Sequence, residues 1–281
     1  MFWTHKGHGS PQQRRRLRLL NAALALLHAT SAALIVALAT EKWTVYLTVP
    51  QIRWVPAFNN ATNATLGCDE TICTIRTTHV KAFAVHIETI VAVFHSFAVL
   101  SHLYAAIDYQ QCYYSRLLRG RVPHRWIEYS VSASPMFTCI LLLCGITDVW
   151  THLACFALVA LTQAMGHAAD IAPRHFHFFF ACGCLMQLAI WPPVYYHLYD
   201  SIGAAAKTPP TFVYYIVWSL LLLFCCFAIV NYRFRTRPLR AEYWYMALSL
   251  TAKSALAWQI FYGALRRETR GIIQEVLAAN S

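Results

Sequence analysis

Long apolar stretches alternate with short polar segments from residue 17 to residue 263 of this chain. Most of these stretches reach the ~20 residues that an α-helix needs to cross the hydrocarbon core of a bilayer. A segment in lipid must satisfy its own backbone hydrogen bonds, so the pattern predicts helices. We predict seven membrane spans, over residues 17–40, 82–107, 124–147, 152–170, 175–198, 211–231 and 242–263. The chain is therefore predicted to be an all-α membrane protein, with residues 1–281 forming a single seven-helix domain.

Residues 41–81 form the one long segment between the predicted spans. The alternation of residue types from Thr44 to Val49 predicts a short β element, and Pro50 is expected to end it. Cys68 and Cys73 are the two cysteines outside the predicted spans on this side of the membrane, and we predict a disulfide between them.

Composition and charge support a membrane protein and give it an orientation. The 58% apolar and 12% charged residues exclude an ordinary soluble domain. Lys and Arg are concentrated in segments that lie on the same side as the N-terminus, which predicts a cytoplasmic N-terminus and an extracellular C-terminus. The tail 1–16 would then be cytoplasmic, and the segments 41–81 and 264–281 extracellular. We interpret the net charge of +11 as this topology signal and expect no nucleic acid partner. A soluble signalling partner or an anionic lipid surface could bind the basic inner segments.

Lys253 stands in the middle of the last apolar stretch. A lone ammonium at that depth costs roughly 3 kcal/mol on insertion scales, so it is normally paired, deprotonated or covalently used. A desolvated lysine amine can also form a Schiff base. Glu128 is the acid predicted at a similar depth, in the third span. At ~1.5 Å per helical residue, His28, His102 and Ser249 fall in the same zone. Each of these five residues also has a purely structural interpretation, as an ion pair or an internal hydrogen bond.

Other polar groups are interpreted differently. Arg125, at the mouth of the third span, is expected to be a solvated charge. Glu88, with His86 and His95 nearby in sequence, is either a second proton site or a structural polar cluster near the outer face. We find no nucleophile–base pair, metal-ligand spacing or phosphate-binding loop, and therefore expect neither enzymatic activity nor a metal site.

Two long motifs resemble the heliorhodopsins. The motif Leu248-Ser-Leu-Thr-Ala-Lys-Ser-Ala-Leu-Ala-Trp-Gln259 is similar to the Schiff-base helix of that family. The motif Arg125-Trp-Ile-Glu-Tyr-Ser-Val-Ser-Ala-Ser-Pro-Met136 is similar to its counterion helix, and Pro210-Thr-Phe-Val-Tyr214 opens the sixth span in a similar way. The family has a cytoplasmic N-terminus, as the charges predict here.

This resemblance implies all-trans retinal bound to Lys253 as a protonated Schiff base, with Glu128 as counterion beside Ser249. A nearby anion is needed to keep such a Schiff base protonated. The resemblance places His28 and His102 near the Schiff base. The residues it implies around the chromophore are Trp126, Tyr129, Ser132, Met136, Trp218 and Trp258.

Two functions remain open at this point. The first is a light sensor with a slow conformational photocycle, which the family resemblance favours, together with a homodimer to which the outer β element contributes. The second is light-gated or light-driven proton or ion transport, for which Glu88, His86, His95 and Asp108 would furnish a path.

Overall fold

The computed structural model describes residues 10–39, 42–56, 58–59, 64–65, 73–204 and 209–266. This part of the chain is mostly helical. Its α-helices are α1 (Pro11–Leu38), α2 (Ile87–Ile107), α3 (Cys112–Leu118), α4 (Pro123–Leu143), α5 (Val149–Ile171), α6 (Phe176–Ala189), α7 (Trp191–Ala204), α8 (Thr211–Phe234) and α9 (Pro238–Ile260). Its strands are β1 (Thr44–Pro56), β2 (Phe58–Asn59), β3 (Ala64–Thr65) and β4 (Cys73–His86).

Six stretches of the described chain are long and apolar enough to cross a membrane. They are α1, α2, α4, α5, the run Pro173–Tyr199 and α8. Their outer surfaces carry large apolar side chains: Leu26, Leu100 and Leu222 are 62–68% exposed, as expected of residues that face lipid. The prediction of a helical, multi-pass membrane protein is therefore confirmed.

The seventh predicted span forms helix α9, which has 23 residues and a length of ~35 Å. It is not among the six apolar stretches, because Glu242 and Lys253 lie within it among several tyrosine, tryptophan and serine side chains. The two charged residues lie on the side of α9 that the bundle buries: Glu242 and Lys253 are 4% and 3% exposed.

The predicted fifth span is interrupted. Helix α6 ends at Ala189 and α7 begins at Trp191, with Ile190 between them. Pro192 and Pro193 occupy the first turn of α7, where a helix needs no backbone N–H donor. Neither proline can donate to a carbonyl of the preceding turn, so the chain starts a new helix at this point.

Strands β1 and β4 form a long two-stranded antiparallel ribbon, which we call the ribbon. The predicted element was too short, because β1 continues through Pro50, which pairs with His79. Both strands of a two-stranded ribbon are edge strands, so a proline can turn its missing N–H position away from the partner. The strand β4 reaches His86, and α2 accordingly begins at Ile87 rather than at residue 82. The predicted disulfide lies outside the described residues, since Cys68 and the side chain of Cys73 are not among them.

The ribbon marks one end of the helix bundle. The N–H of Thr48 donates to the carbonyl of Thr147, in the turn between α4 and α5, at 2.8 Å. We call this end the ribbon end. At the opposite end, here called the far end, Arg14 of α1 pairs with Asp108 at 2.7 Å. Asp108 also accepts the backbone N–H groups of Tyr113 and Tyr114, which fixes the start of α3.

Candidate functional site

Lys253 lies inside the bundle with its charge balanced. Its Nζ donates to Ser249 Oγ at 2.7 Å and lies 3.1 Å from Glu128 Oε1. Ser249 is one helical turn before Lys253 on α9, so both side chains project from the same face. All three side chains are at most 7% exposed. An unpaired charge at this position would be strongly destabilising, and the carboxylate of Glu128 supplies its partner.

Lys253 opens onto a cavity with a volume of about 240 Å³. Trp126, Tyr129, Ser132 and Met136, all on α4 and all implied by the sequence motif, line it. Its wall is predominantly apolar and aromatic, with a few polar groups, as is common for sites that hold a small apolar ligand. The structure therefore brings the lysine amine, its carboxylate partner and an apolar cavity together at one place.

Further walls of the cavity come from α5, α6, α8 and α9. Gly166 of α5, Gln187 of α6, Phe227 of α8 and Tyr245 of α9 all line the cavity. A methyl group added at Gly166 would overlap the ring of Trp126. In the sequence, the one signal of this close contact was a glycine within an apolar helix. Such a glycine does not by itself indicate which aromatic ring packs against it.

Trp218 and Trp258 are not among the residues that line the cavity, which corrects the expectation for both. Trp218 is 52% exposed on the outer side of α8, where its ring packs against Tyr195. Trp258 packs against Phe261 and Tyr262, towards the ribbon end. Phe227 and Tyr245 provide aromatic walls of the cavity from these two helices instead.

Three buried histidines form a cluster between α1 and α2. Nδ1 of His28 lies 3.0 Å from Nδ1 of His95, and the ring of His28 stacks on that of His102. The charge of Lys253 acts on all three rings. The two histidines that the resemblance places near Lys253 are therefore joined there by His95, which the sequence had assigned to a separate polar group.

The remaining members of the predicted proton path divide between the two ends of the bundle. At the ribbon end, Glu88 is buried, and its Oε1 lies 3.9 Å from Nδ1 of His86. Asp108 is at the far end, where Arg14 and two backbone N–H groups occupy its carboxylate. Asp108 therefore joins α1, α2 and α3, and the structure does not bring it together with Glu88 and His86.

Arg125 is buried, contrary to the expectation of a solvated charge. Its Nη1 lies 2.6 Å from Glu242 Oε2, and its Nη2 lies 3.3 Å from Asp170 Oδ2. Nε1 of Trp126 donates to the same oxygen of Asp170 at 2.6 Å. These four side chains, which we call the far-end network, connect α4, α5 and α9. Trp126 belongs to both the network and the cavity wall.

The far-end network also reaches α3. The hydroxyl of Tyr113 donates to Glu242 Oε1 at 2.9 Å. Burial and the neighbouring carboxylate of Glu242 raise the pKa of Tyr113 well above its usual value, so Tyr113 remains a neutral donor. Among the described residues, no group of three or more His, Cys, Asp or Glu side chains is arranged to hold a metal ion.

Solved structures and a family model match this chain, whereas a comparison with curated proteins finds none that matches. The transmembrane domain of Salpingoeca rosetta rhodopsin phosphodiesterase superposes with a TM-score of 0.59 at 14% identity, over 90% of this chain and 88% of that one. Thermophilic rhodopsin from Rubrobacter xylanophilus superposes with a TM-score of 0.54, also at 14% identity, over 88% of this chain and 95% of that one. At this identity the two structures show a shared fold and nothing more. The family model Heliorhodopsin matches residues 17–265, so this chain belongs to the heliorhodopsin family of retinal-binding membrane proteins.

Proposed function

We propose that this protein is a light sensor in which Lys253 holds all-trans retinal through its amine, with Glu128 as the counterion. The observation that carries the proposal is the position of Lys253, which is buried, ion-paired and at the wall of an apolar cavity. Retinal combines an aldehyde, which reacts with an amine, and an apolar polyene, which needs such a cavity. Bound retinal would supply light absorption and isomerisation.

The side chains around Lys253 have distinct parts in this proposal. Glu128 balances the positive charge on the nitrogen, and Ser249 fixes its position through the 2.7 Å hydrogen bond. The ring of Tyr129 lies 5.3 Å from Nζ and adds a cation–π contact. Ser132 Oγ is buried without a hydrogen-bond partner among the described residues, so it is available to a polar group in the cavity.

Trp126 supports a conformational signal as the output. Its ring lines the cavity, and its Nε1–H holds Asp170 in the far-end network. A displacement of this ring would change the contacts of Arg125, Glu242 and, through Tyr113, helix α3. We propose that α9 is the seventh span and that the far end, with the N-terminus, is cytoplasmic. A soluble signalling partner would then meet α3 and the basic segments around it.

Light-driven proton or ion transport is the alternative function. The observation that favours it is the set of buried ionisable groups Glu88, His95 and His102 on the single helix α2. A photocurrent that is sustained under continuous light in a voltage-clamped cell would overturn the sensor, and its absence in a protein with a visible band would overturn transport. The enzymatic activity in the name of one structural neighbour is not part of the proposal, because the likeness is one of fold.

The proposed retinal linkage is tested by the visible spectrum of the purified protein supplied with all-trans retinal. We expect a visible band that bleaches with light and hydroxylamine, and its complete loss in Lys253→Ala. The matched control is Lys81→Ala, which removes a lysine in β4 that stacks on Tyr46, outside the bundle. A folded wild-type protein without a visible band would contradict the proposal, as would a band that survives in Lys253→Ala.

A further inference from the structure

We propose that His28, His95, Glu88 and His86 form a proton path that connects the surroundings of Lys253 with the ribbon end, and with that end alone. The inference deepens the proposed function and rests on it only for the light trigger. Under this proposal the protein takes up and releases protons on one side of the membrane, which suits a sensor, and does not pass them across it.

The hydrogen bond between the two histidines fixes how a proton would pass. Both atoms at 3.0 Å are Nδ1, so one ring must carry the N–H and the other the lone pair. The two neutral rings are therefore opposite tautomers. If His28 carries the Nδ1 proton, its Nε2 has a lone pair, and His95 carries its own proton on Nε2.

This arrangement has two free ends. Nε2 of His28 and Nε2 of His95 are both buried without a partner among the described residues. A proton that binds Nε2 of His28 forms an N–H bond there, and the Nδ1 proton of His28 crosses to Nδ1 of His95. The Nε2–H bond of His95 then breaks and its proton leaves. One proton enters and one leaves, so the pair regains its charge and exchanges its tautomers.

The charged and titratable groups around this pair come from three helices. Lys253 of α9 acts on both rings, and Glu128 of α4 is its partner. His102 of α2 stacks on His28, but its Nδ1 donates to Asn21 Oδ1 at 2.8 Å. The amide nitrogen of Asn21 donates in turn to the carbonyl of Leu17, which sets the orientation of the amide. His102 therefore has its Nδ1 proton committed, and the relay pair is His28 and His95.

Glu88 continues the path towards the ribbon end. It precedes His95 by two helical turns, ~10.5 Å along α2, on nearly the same face. Its Oε2 is buried and has no partner among the described residues, as is true of Nε2 of His95. Buried polar atoms are normally satisfied, and water is the usual partner when protein is not. We assign the interval between Glu88 and His95, where the small side chain of Ala92 lies, to bridging water.

His86 completes the path at the surface. Its Nδ1 lies 3.9 Å from Glu88 Oε1 and 3.0 Å from the hydroxyl of Thr44. The side chain of His86 is 44% exposed, whereas that of Glu88 is 10% exposed. A proton on Glu88 therefore has an acceptor that faces solvent.

Towards the far end, the polar side chains of the described residues are engaged with one another: His102 bonds to Asn21, and Tyr113 bonds to Glu242. The buried guanidinium of Arg125 lies between α4, α5 and α9, and its positive charge opposes the entry of a proton. The next ionisable groups on α2 and α4 are His102, His124 and Asp108. His124 packs against Tyr104 and Tyr113, and Asp108 is held by Arg14. No chain of unpartnered groups comparable to Glu88 and His95 is present there in the described structure.

The test uses the full chain with retinal in liposomes of known protein orientation, with a pH-sensitive dye on one side at a time. After a light flash we expect a transient pH change only on the side that the ribbon faces. In Glu88→Gln this change should slow at least tenfold while the visible band persists. His79→Gln is the matched control, because His79 is an exposed histidine of β4 outside the path. A transient on the opposite side, unchanged kinetics in Glu88→Gln, or no transient in a protein with a visible band would each overturn the path.

A second measurement does not need retinal. Nitrogen-15 NMR of the histidines in the protein without chromophore should show one Nδ1–H and one Nε2–H tautomer for His28 and His95. Replacing His95 by Ala should change the signal of His28 and leave that of His152, on α5, unchanged. Two identical tautomers, or an unchanged His28 signal, would overturn the histidine relay. If the two histidines show the expected tautomers but the wild-type protein supplied with retinal has no visible band, the proposed photoreceptor is contradicted and the histidine relay is not.

Discussion

Trp126 occupies the cavity wall because its neighbour on α5 has no side chain. The ring lies where a methyl group on Gly166 would be, and its Nε1–H is held by Asp170. The ring cannot retreat without losing a charge-assisted hydrogen bond. At the scale of single residues, the shape of the cavity therefore depends on the absence of a side chain at Gly166, which leaves room for the ring of Trp126.

We expect Gly166→Ala to displace Trp126 and to alter the visible band, either by shifting its maximum or by reducing retinal binding several-fold. Overpacking of this kind costs about 1–3 kcal/mol. Gly183→Ala is the matched control, since Gly183 also lines the cavity but a methyl group there would meet Met165 at 3.4 Å, an ordinary contact. Absorbance after titration with retinal measures both effects. Equal spectra for the two variants would show that Trp126 has room to move.

Single residues were predictable where their chemistry leaves few alternatives. A lysine in the middle of an apolar stretch needs an anion, and Glu128 was the acid at a suitable depth, so the structure's ion pair could be anticipated. Arg125 was misjudged because it lies in the first turn of α4, where a long side chain reaches either solvent or a buried partner. The choice depends on Glu242 and Asp170, and no spacing along the chain reveals that these acids face Arg125.

At the scale of elements, the far-end network decides how α4, α5 and α9 meet. One guanidinium bonds to carboxylates from the other two helices and lies 4.2 Å from the ring of Tyr245. A buried charge that loses a partner is strongly destabilising, whereas a pair replaced as a whole often is not. The network therefore contributes more to the specific arrangement of these helices than to net stability.

We expect Glu242→Gln to destabilise the protein by about 3–5 kcal/mol, because Arg125 would retain only Asp170 as a charged partner. The measurement is thermal unfolding in detergent, with the decrease of the visible band as the signal that monitors unfolding. The double variant Arg125→Gln with Glu242→Gln should recover part of the loss, since the buried positive charge is then absent as well. A double variant less stable than the single one would contradict this account.

Elements were predictable in type more than in their number or limits. The long apolar stretches identified α1, α2, α4, α5 and α8, but the break at Ile190 and the length of β1 depend on prolines. Pro192 interrupts a helix because of its place in the first turn of α7, and Pro50 is tolerated because β1 has a free edge. Both outcomes follow from hydrogen bonds that the sequence alone does not assign.

At the scale of the whole molecule, the ribbon presents apolar residues to its surroundings. Trp54 lies opposite Ile75 in the register, and they are 66% and 55% exposed. The other face has Arg53 opposite Arg76. An aromatic and an aliphatic side chain exposed together are typical of a surface that a partner covers. This supports the proposed homodimer through the ribbon.

We expect the double variant Trp54→Ser with Ile75→Ser to weaken the dimer at least tenfold, because burial of a central tryptophan often contributes 2 kcal/mol or more, by a rough estimate. Arg53→Ser with Arg76→Ser changes the opposite face at the same positions of the ribbon and serves as the control. Light scattering of the detergent-solubilised protein over a range of concentrations measures the mass. A dimer unaffected by the first variant would place the interface elsewhere.

The junction of the ribbon with the bundle has a practical consequence. Strand β4 ends at His86 and α2 begins at Ile87, so no flexible linker separates them. The backbone N–H of Ile87 also donates to the carbonyl of Trp43, which holds the two strands together at the junction. A spin label or fluorophore at Thr77, an exposed position of β4, would therefore follow rotations of α2. Movements of α2, the helix that carries His95 and His102, can therefore be observed with a label that lies outside the helix bundle.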